Sequence, residues 1–175
     1  MKKLLITILP FYFLAFNACS NDDKPENPVD ALPPITQTGE NTFACLINGK
    51  PFFSSSGSRA SYAPADGAYT LSISGWRNDD IGLRSILLSC LDIKGGVKEG
   101  TFPLTTRMSG GYSAKYLIGG SRILDARTSD ETPGVLKITR FDLQEFIVSG
   151  TFEFTVEDDE GNVYEITDGR FDLKF

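Results

Sequence analysis

The stretch that decides the fold is Val148-Ser149-Gly150-Thr151-Phe152-Glu153-Phe154-Thr155-Val156-Glu157, apolar or Gly at every even position and Ser, Thr or Glu at every odd one. A period of two sends alternate side chains to opposite faces of a strand, so one face packs on a core and the other meets water. Working outward, Asp158 to Asn162 reads as a Gly-containing hairpin loop leading to a second strand, Val163 to Thr167. Alternation resumes at Arg170 to Phe175, but the apolar parity has moved from even to odd. One extra residue must therefore be absorbed, and Asp168-Gly169 is the natural bulge, with Gly169 expected to take the positive φ.

Upstream, Thr42 to Ile47 and the segment around Pro51 to Phe53 flank Asn48-Gly49, a strong hairpin signal. Pro51 cannot donate to a ladder, which places its strand at an edge. Further strands are expected at Tyr69–Gly75, Arg84–Ile93, Thr101–Leu104, Tyr112–Ile118 and Val135–Phe141, with long loops over Ser54–Ala68 and Ser121–Gly134. No window of helical length keeps a 3.6-residue stripe. The expected domain, residues 41–175, is all-β: an antiparallel sandwich or partly open barrel of about nine strands.

Composition removes whole classes of chemistry. The chain has 175 residues and no His, which excludes Ser-His-Asp and Cys-His pairs and the HExxH zinc site. A net charge of -6 argues against nucleic acid as a partner. No residue pattern picks out a catalytic group, a cofactor or a metal. Glu157 to Asn162 invites a calcium reading, but aligning Gly161 with the invariant Gly of an EF-hand puts Val156 and Thr167 at ligand positions, so an acidic solvated hairpin is the better account. The Asp168, Arg170 and Asp172 cluster is expected to be outward charge pairing across strands.

The N-terminus reads as an export address. Met1-Lys2-Lys3 precedes the apolar run Leu4 to Phe16, which as a helix spans only about 20 Å and is too short for a bilayer core of about 30 Å. Asn17-Ala18-Cys19-Ser20 follows and resembles the lipobox of bacterial lipoproteins, although Phe16 and Asn17 depart from its usual residues. The resemblance implies a signal peptide over 1–18, lipidation of Cys19, and contact with the membrane through the lipid anchor only. Ser20-Asn21-Asp22-Asp23-Lys24 is similar to the acidic export signal of Bacteroidota surface lipoproteins, implying an outer-membrane location facing the exterior, with the periplasmic leaflet as the alternative. Residues 19–40, rich in Pro from Pro25 onward, are expected to form a tether reaching about 70 Å extended or about 25 Å as a coil.

The stretches Thr36 to Lys50, Ser149 to Phe154 and Ile166 to Asp172 resemble an uncharacterised family of Bacteroidota surface lipoproteins known only as a domain of unknown function. That resemblance implies a secreted all-β domain and brings no catalytic residues. With Cys19 assigned to lipid, Cys45 and Cys90 remain, and they fit a disulfide or two buried thiols equally well. Trp76, Tyr62, Tyr112 and Tyr116 are the candidate ligand platform, because exposed rings stack on sugars or fill partner pockets. The expected function is non-enzymatic binding of an extracellular glycan or an envelope protein. The alternatives are a structural envelope component without a small ligand and a carboxylate-based polysaccharide hydrolase. Metabolic labelling with a fatty-acid analogue is expected to mark the wild-type chain and to spare Cys19→Ala; equal labelling of both would refute the lipid assignment.

Overall fold

The computed structural model describes residues 26–175 apart from 56, 81, 107, 108 and 120–122. The signal segment and Cys19 lie outside the described residues. In chain order the strands are β1 (Thr42–Ile47), β2 (Lys50–Phe53), β3 (Arg59–Ala65), β4 (Ala68–Asp79), β5 (Gly82–Lys94), β6 (Gly100–Leu104), β7 (Gly111–Gly119), β8 (Ile123–Arg127), β9 (Gly134–Asp142), β10 (Ile147–Glu157) and β11 (Val163–Lys174). They form one open sheet of 11 strands in the order β2-β1-β11-β10-β9-β6-β7-β5-β4-β3, with β8 pairing β7 off this path. Among the described residues, every pairing is antiparallel except the parallel bridge from Leu104 on β6 to Tyr112 on β7. Among the described residues, no helix is long and apolar enough to cross a membrane.

The sheet coils until its two ends meet. Just beyond β2, the Ser54 backbone N–H donates to Phe43 O at 3.1 Å and the Ser55 N–H donates to Trp76 O at 3.1 Å, so chain from one end of the path is bonded to β4 near the other. At this seam Phe43 on β1 lies against Gly75 on β4, where a Cβ would fall 2.2 Å from the ring. The enclosed face is one continuous core that includes Phe52, Leu71, Ile73, Ile86, Leu88, Leu136, Ile138, Ile166 and Phe171. Each such side chain contributes about 1.5–3 kcal/mol by leaving water.

Local chemistry accounts for the turns. Asn48 and Gly49 have φ of 48° and 72°, the paired positive values of a type I′ hairpin, and Asp66-Gly67 repeats the device at 49° and 78°. Pro51 sits on β2, which ends the path and pairs only with β1, so its missing N–H costs no ladder bond. The expected bulge is present: Phe152 pairs Gly169 whereas Phe154 pairs Ile166, so β11 gains one residue there. The positive φ belongs to Asp168, at 52°, and not to Gly169. Gly169 is needed for space, since its Cβ would lie 2.5 Å from the Phe152 ring.

Two strands lie where long loops were expected, raising the count from about nine to 11. β3 pairs only with β4 and β8 only with β7, and of their inward residues only Ala60 and Ala126 enter the core. An edge strand whose sole buried side chain is a methyl leaves no alternation to detect.

The described part of the expected tether lies on the domain. A 3-10 turn at Pro28–Ala31, capped by the Asn27 side chain, leads to Leu32, which is buried against Ala44 and Leu46 on the outer face of β1. Arg170 donates to Pro33 O at 3.1 Å. Asp172, expected to pair with charge in solvent, is instead 1% exposed beneath this strap. Its carboxylate accepts from Thr36 Oγ1, Ser149 Oγ and the backbone N–H groups of Thr38, Gly39 and Glu40, at 2.6–3.1 Å. With residues 28–40 laid down, the chain between Cys19 and the domain spans at most about 30 Å.

Burial alone would raise the Asp172 carboxyl, but the bonds from Ser149, Thr36, Glu40 and Gly39 outweigh it and hold the pKa down to about 2. A carboxyl depressed in the folded state stabilises above its unfolded pKa, near 4, and loses that contribution as pH falls through 2. Urea unfolding is expected to show Asp172→Asn less stable than wild type at pH 6, with the gap narrowing by about 2 kcal/mol by pH 2. A gap independent of pH would show that the carboxylate charge does not hold the strap.

Candidate functional site

The four aromatics expected to share a platform are dispersed. Tyr116 is 2% exposed in the core, where it meets Tyr164 edge to face at 5.1 Å. It sits at an even position of β7, the parity of the inward-facing Ala114. Tyr112 shares that parity, is half-buried and stacks on Phe102 at 4.1 Å, and burial pushes its phenol up to about 12. Trp76 does point outward from β4, but its ring covers Gly57, whose Cβ would fall 2.2 Å from it. Its backbone N–H donates to Ser54 Oγ at 3.2 Å, so Trp76 belongs to the seam.

Tyr62 alone lies in a cleft with other aromatics, at the end of the sheet where β9, β10 and β11 meet the β3–β4 hairpin. Its ring stacks on Tyr69 at 5.4 Å and meets Phe141 at 5.0 Å and Phe175 at 5.9 Å edge to face. Phe146 joins the group through Phe175 at 6.1 Å. The cleft has a volume of about 450 Å³ and is lined by Tyr62, Tyr69, Gly95, Gly96, Val97 and Phe141 to Gln144. The paired glycines contribute backbone rather than side chain to its lining. Burial, followed by the neighbouring Tyr69, raises the Tyr62 phenol, while a backbone hydrogen bond at Val97 offsets part of the rise.

The β9–β10 turn builds the outer lip. Asp142 accepts from the Gln144 N–H at 2.9 Å, the Glu145 N–H at 3.0 Å and the Arg140 guanidinium at 2.8 Å. The Glu145 N–H, then Arg140 and Gln144, hold its carboxyl down to about 2. The turn so fixed presents Leu143 at 55% exposure and Phe146 at 56%. Phe146 has a φ of 55°, left-handed backbone that a bulky side chain adopts at a cost of about 1–2 kcal/mol. A single backbone bond, Phe175 N–H to Phe146 O at 2.9 Å, braces it. Strain of this kind persists where surrounding structure over-determines it and gathers at binding sites. The sequence signal for this lip was the pair Leu143 and Phe146 flanking Gln144-Glu145, apolar residues in a polar turn.

Other candidates carry less. Cys45 and Cys90 are both buried and free, the disulfide alternative being absent from the structure. Burial pushes both thiols up, Cys90 to about 12. Asp158 is consumed by its own hairpin, accepting from the Glu160 and Asn162 N–H groups, Asn162 Nδ2 and Tyr164 OH. Among the described residues, no three His, Cys, Asp or Glu side chains gather to hold a metal. A wider cleft of about 660 Å³ carries Asp66 and Asp92, both exposed to water, the first in the hairpin turn and the second at a bulge in β5.

Comparison with protein-family models, with curated proteins and with solved structures finds no match to this chain. The Cys45 and Cys90 assignment is open to direct measurement. In a Cys19→Ala chain, a thiol reagent is expected to find no reactive group in the native state and two in denaturant; none in denaturant would demonstrate a disulfide.

Proposed function

We propose that this chain is a lipid-anchored protein of the outer-membrane surface whose β-domain binds a glycan through the aromatic cleft without catalysing a reaction. Support for the anchor comes from the cationic start, the short apolar run and Cys19, and support for the outer face from Ser20 to Lys24. The observation that carries the binding reading is Phe146: exposed, held in a strained conformation and packed against an aromatic cluster that continues into the cleft. A ring left more than half in water at a conformational cost returns to the fold only its edge contact with Phe175, and glycine would relieve the strain.

The cleft suits a sugar for a chemical reason. A pyranose offers an apolar C–H face and a rim of hydroxyls, so it needs a ring to lie on and polar groups at the sides. Tyr69 and Phe146 supply rings, each contact contributing about 1 kcal/mol. Gln144 and the backbone at Gly95 and Gly96 supply hydrogen-bonding groups to the rim. An envelope protein inserting an apolar side chain is the second occupant considered, favoured by the exposure of Leu143.

Phe146→Gly separates binding from folding, because glycine relieves the φ strain as it removes the ring. Affinity electrophoresis through gels containing different bacterial and host polysaccharides is expected to retard the wild type in at least one. Phe146→Gly and Tyr69→Ala should lose that retardation about tenfold or more, while the stability of Phe146→Gly stays within about 1 kcal/mol of wild type. Migration unaltered by every polysaccharide, or equal retardation of the variants, would sink the glycan reading.

A further inference from the structure

A separate feature lies on the outer face of the sheet, where one edge of β7 is shared by two strands. β6 meets that edge at Tyr112, and β8 takes it over from Lys115 to Gly119. Thr128, just beyond β8, fills the fork: its N–H donates to Ala114 O at 3.0 Å, and its hydroxyl accepts from the Ala114 N–H and donates to Thr105 O, both at 3.0 Å. Over this plug sits a pocket of about 140 Å³, walled by Leu87, Ser89, Ser113, Lys115, Thr106 and Arg127.

The charges around it are arranged against the interest of the fold. Lys115 stands directly opposite Arg127 in the β7–β8 register, and like charges in that position repel. Arg127 reaches back along its own strand to Asp125 at 2.6 Å, which offsets part of that repulsion and leaves Lys115 as the cation without a partner. Among the described residues, Lys115 has no ion pair, and the Ser89 and Ser113 hydroxyls, facing one another across β5 and β7, have no hydrogen-bond partner. In a chain of net charge -6, a repelling pair of cations beside two unused hydroxyls at the mouth of a small pocket marks a place for an anion.

We propose that this pocket binds a carboxylate carried on a small organic body, such as an acidic sugar. Lys115 and Arg127 would meet its two oxygens, and Ser89 and Ser113 would donate to them. Leu87 and the threonine methyl groups would cover the body. The asymmetry selects the class: a carboxylate has its charge at one end and needs donors on one side, whereas a phosphate carries oxygens all round and would press some against Leu87. The site is independent of the aromatic cleft and does not rest on it.

The test is an amide NMR titration of the full domain with glucuronate, glucose and inorganic phosphate in parallel. Glucuronate is expected to give saturable shifts at Ala114, Lys115 and Thr128, with phosphate weaker and glucose inert. Lys115→Gln should weaken glucuronate at least fivefold, and Phe146→Gly should leave the titration unchanged. Lys115→Gln removes a repelling charge from a solvent-facing position, so it is expected to fold, and its unshifted core resonances check this. The proposal is overturned by absence of saturable glucuronate shifts, by equal response to glucose, by tighter binding of phosphate, or by an unaltered affinity in folded Lys115→Gln.

Discussion

A sheet with one apolar face must hide that face from water, and with no α-helix among the described residues to cover it, the sheet covers itself. The contact that makes this work is Phe43 against the bare backbone of Gly75, joining β1 and β4, which stand seven places apart in the strand order and meet across the seam. A Cβ at position 75 would fall 2.2 Å from the Phe43 ring, so the ring or one of the two strands would have to give way. Ser55 then ties the seam with a backbone bond to Trp76 O, and Ser54 does so through its hydroxyl, which bonds the Trp76 backbone. Core, turns and both candidate sites take their positions from that curvature.

Much of this was legible in the order of residues. Alternation from Thr151 to Glu157 is reproduced as alternating exposure, and the parity break at Asp168-Gly169 is a bulge in both neighbouring ladders. Asn48-Gly49 turns as its residue types demand, and Asp66-Gly67 carried the same signal inside a stretch otherwise poor in strand formers. What stayed hidden has a common cause. β3 and β8 bury little, so they have no pattern, and Asp172 on an outward parity gave no sign that a distant strap would cover it. Short-range periodicity reports which face of a strand is apolar; it is silent about what else folds over that face.

The aromatic residues illustrate the same limit. Tyr116 and Tyr112 had the composition of a binding surface but the parity of the core, and parity prevailed. The rings that do reach water come from the β9–β10 turn and the β3–β4 hairpin, segments more than 60 residues apart that only the curl of the sheet brings side by side. A site assembled in this way leaves no motif. Its trace is local and energetic instead: a phenylalanine in a conformation that suits glycine, and two cations set face to face.

The strap over Asp172 also has a mechanical consequence. A pull applied on the N-terminal side of Asn27 does not act first on the hydrogen-bonded ladder of β1 or on that of the exposed edge strand β2. It must lift Leu32 from Ala44 and Leu46, then break the bond from Arg170 to Pro33, and then strip the donors of residues 36–40 from Asp172. Because Asp172 stands on β11, between β1 and β10, the load arrives inside the sheet, where strands are held on both sides. The buried carboxylate thus acts as a strain relief, sparing the seam that keeps the core closed from tension on the chain that leads to it.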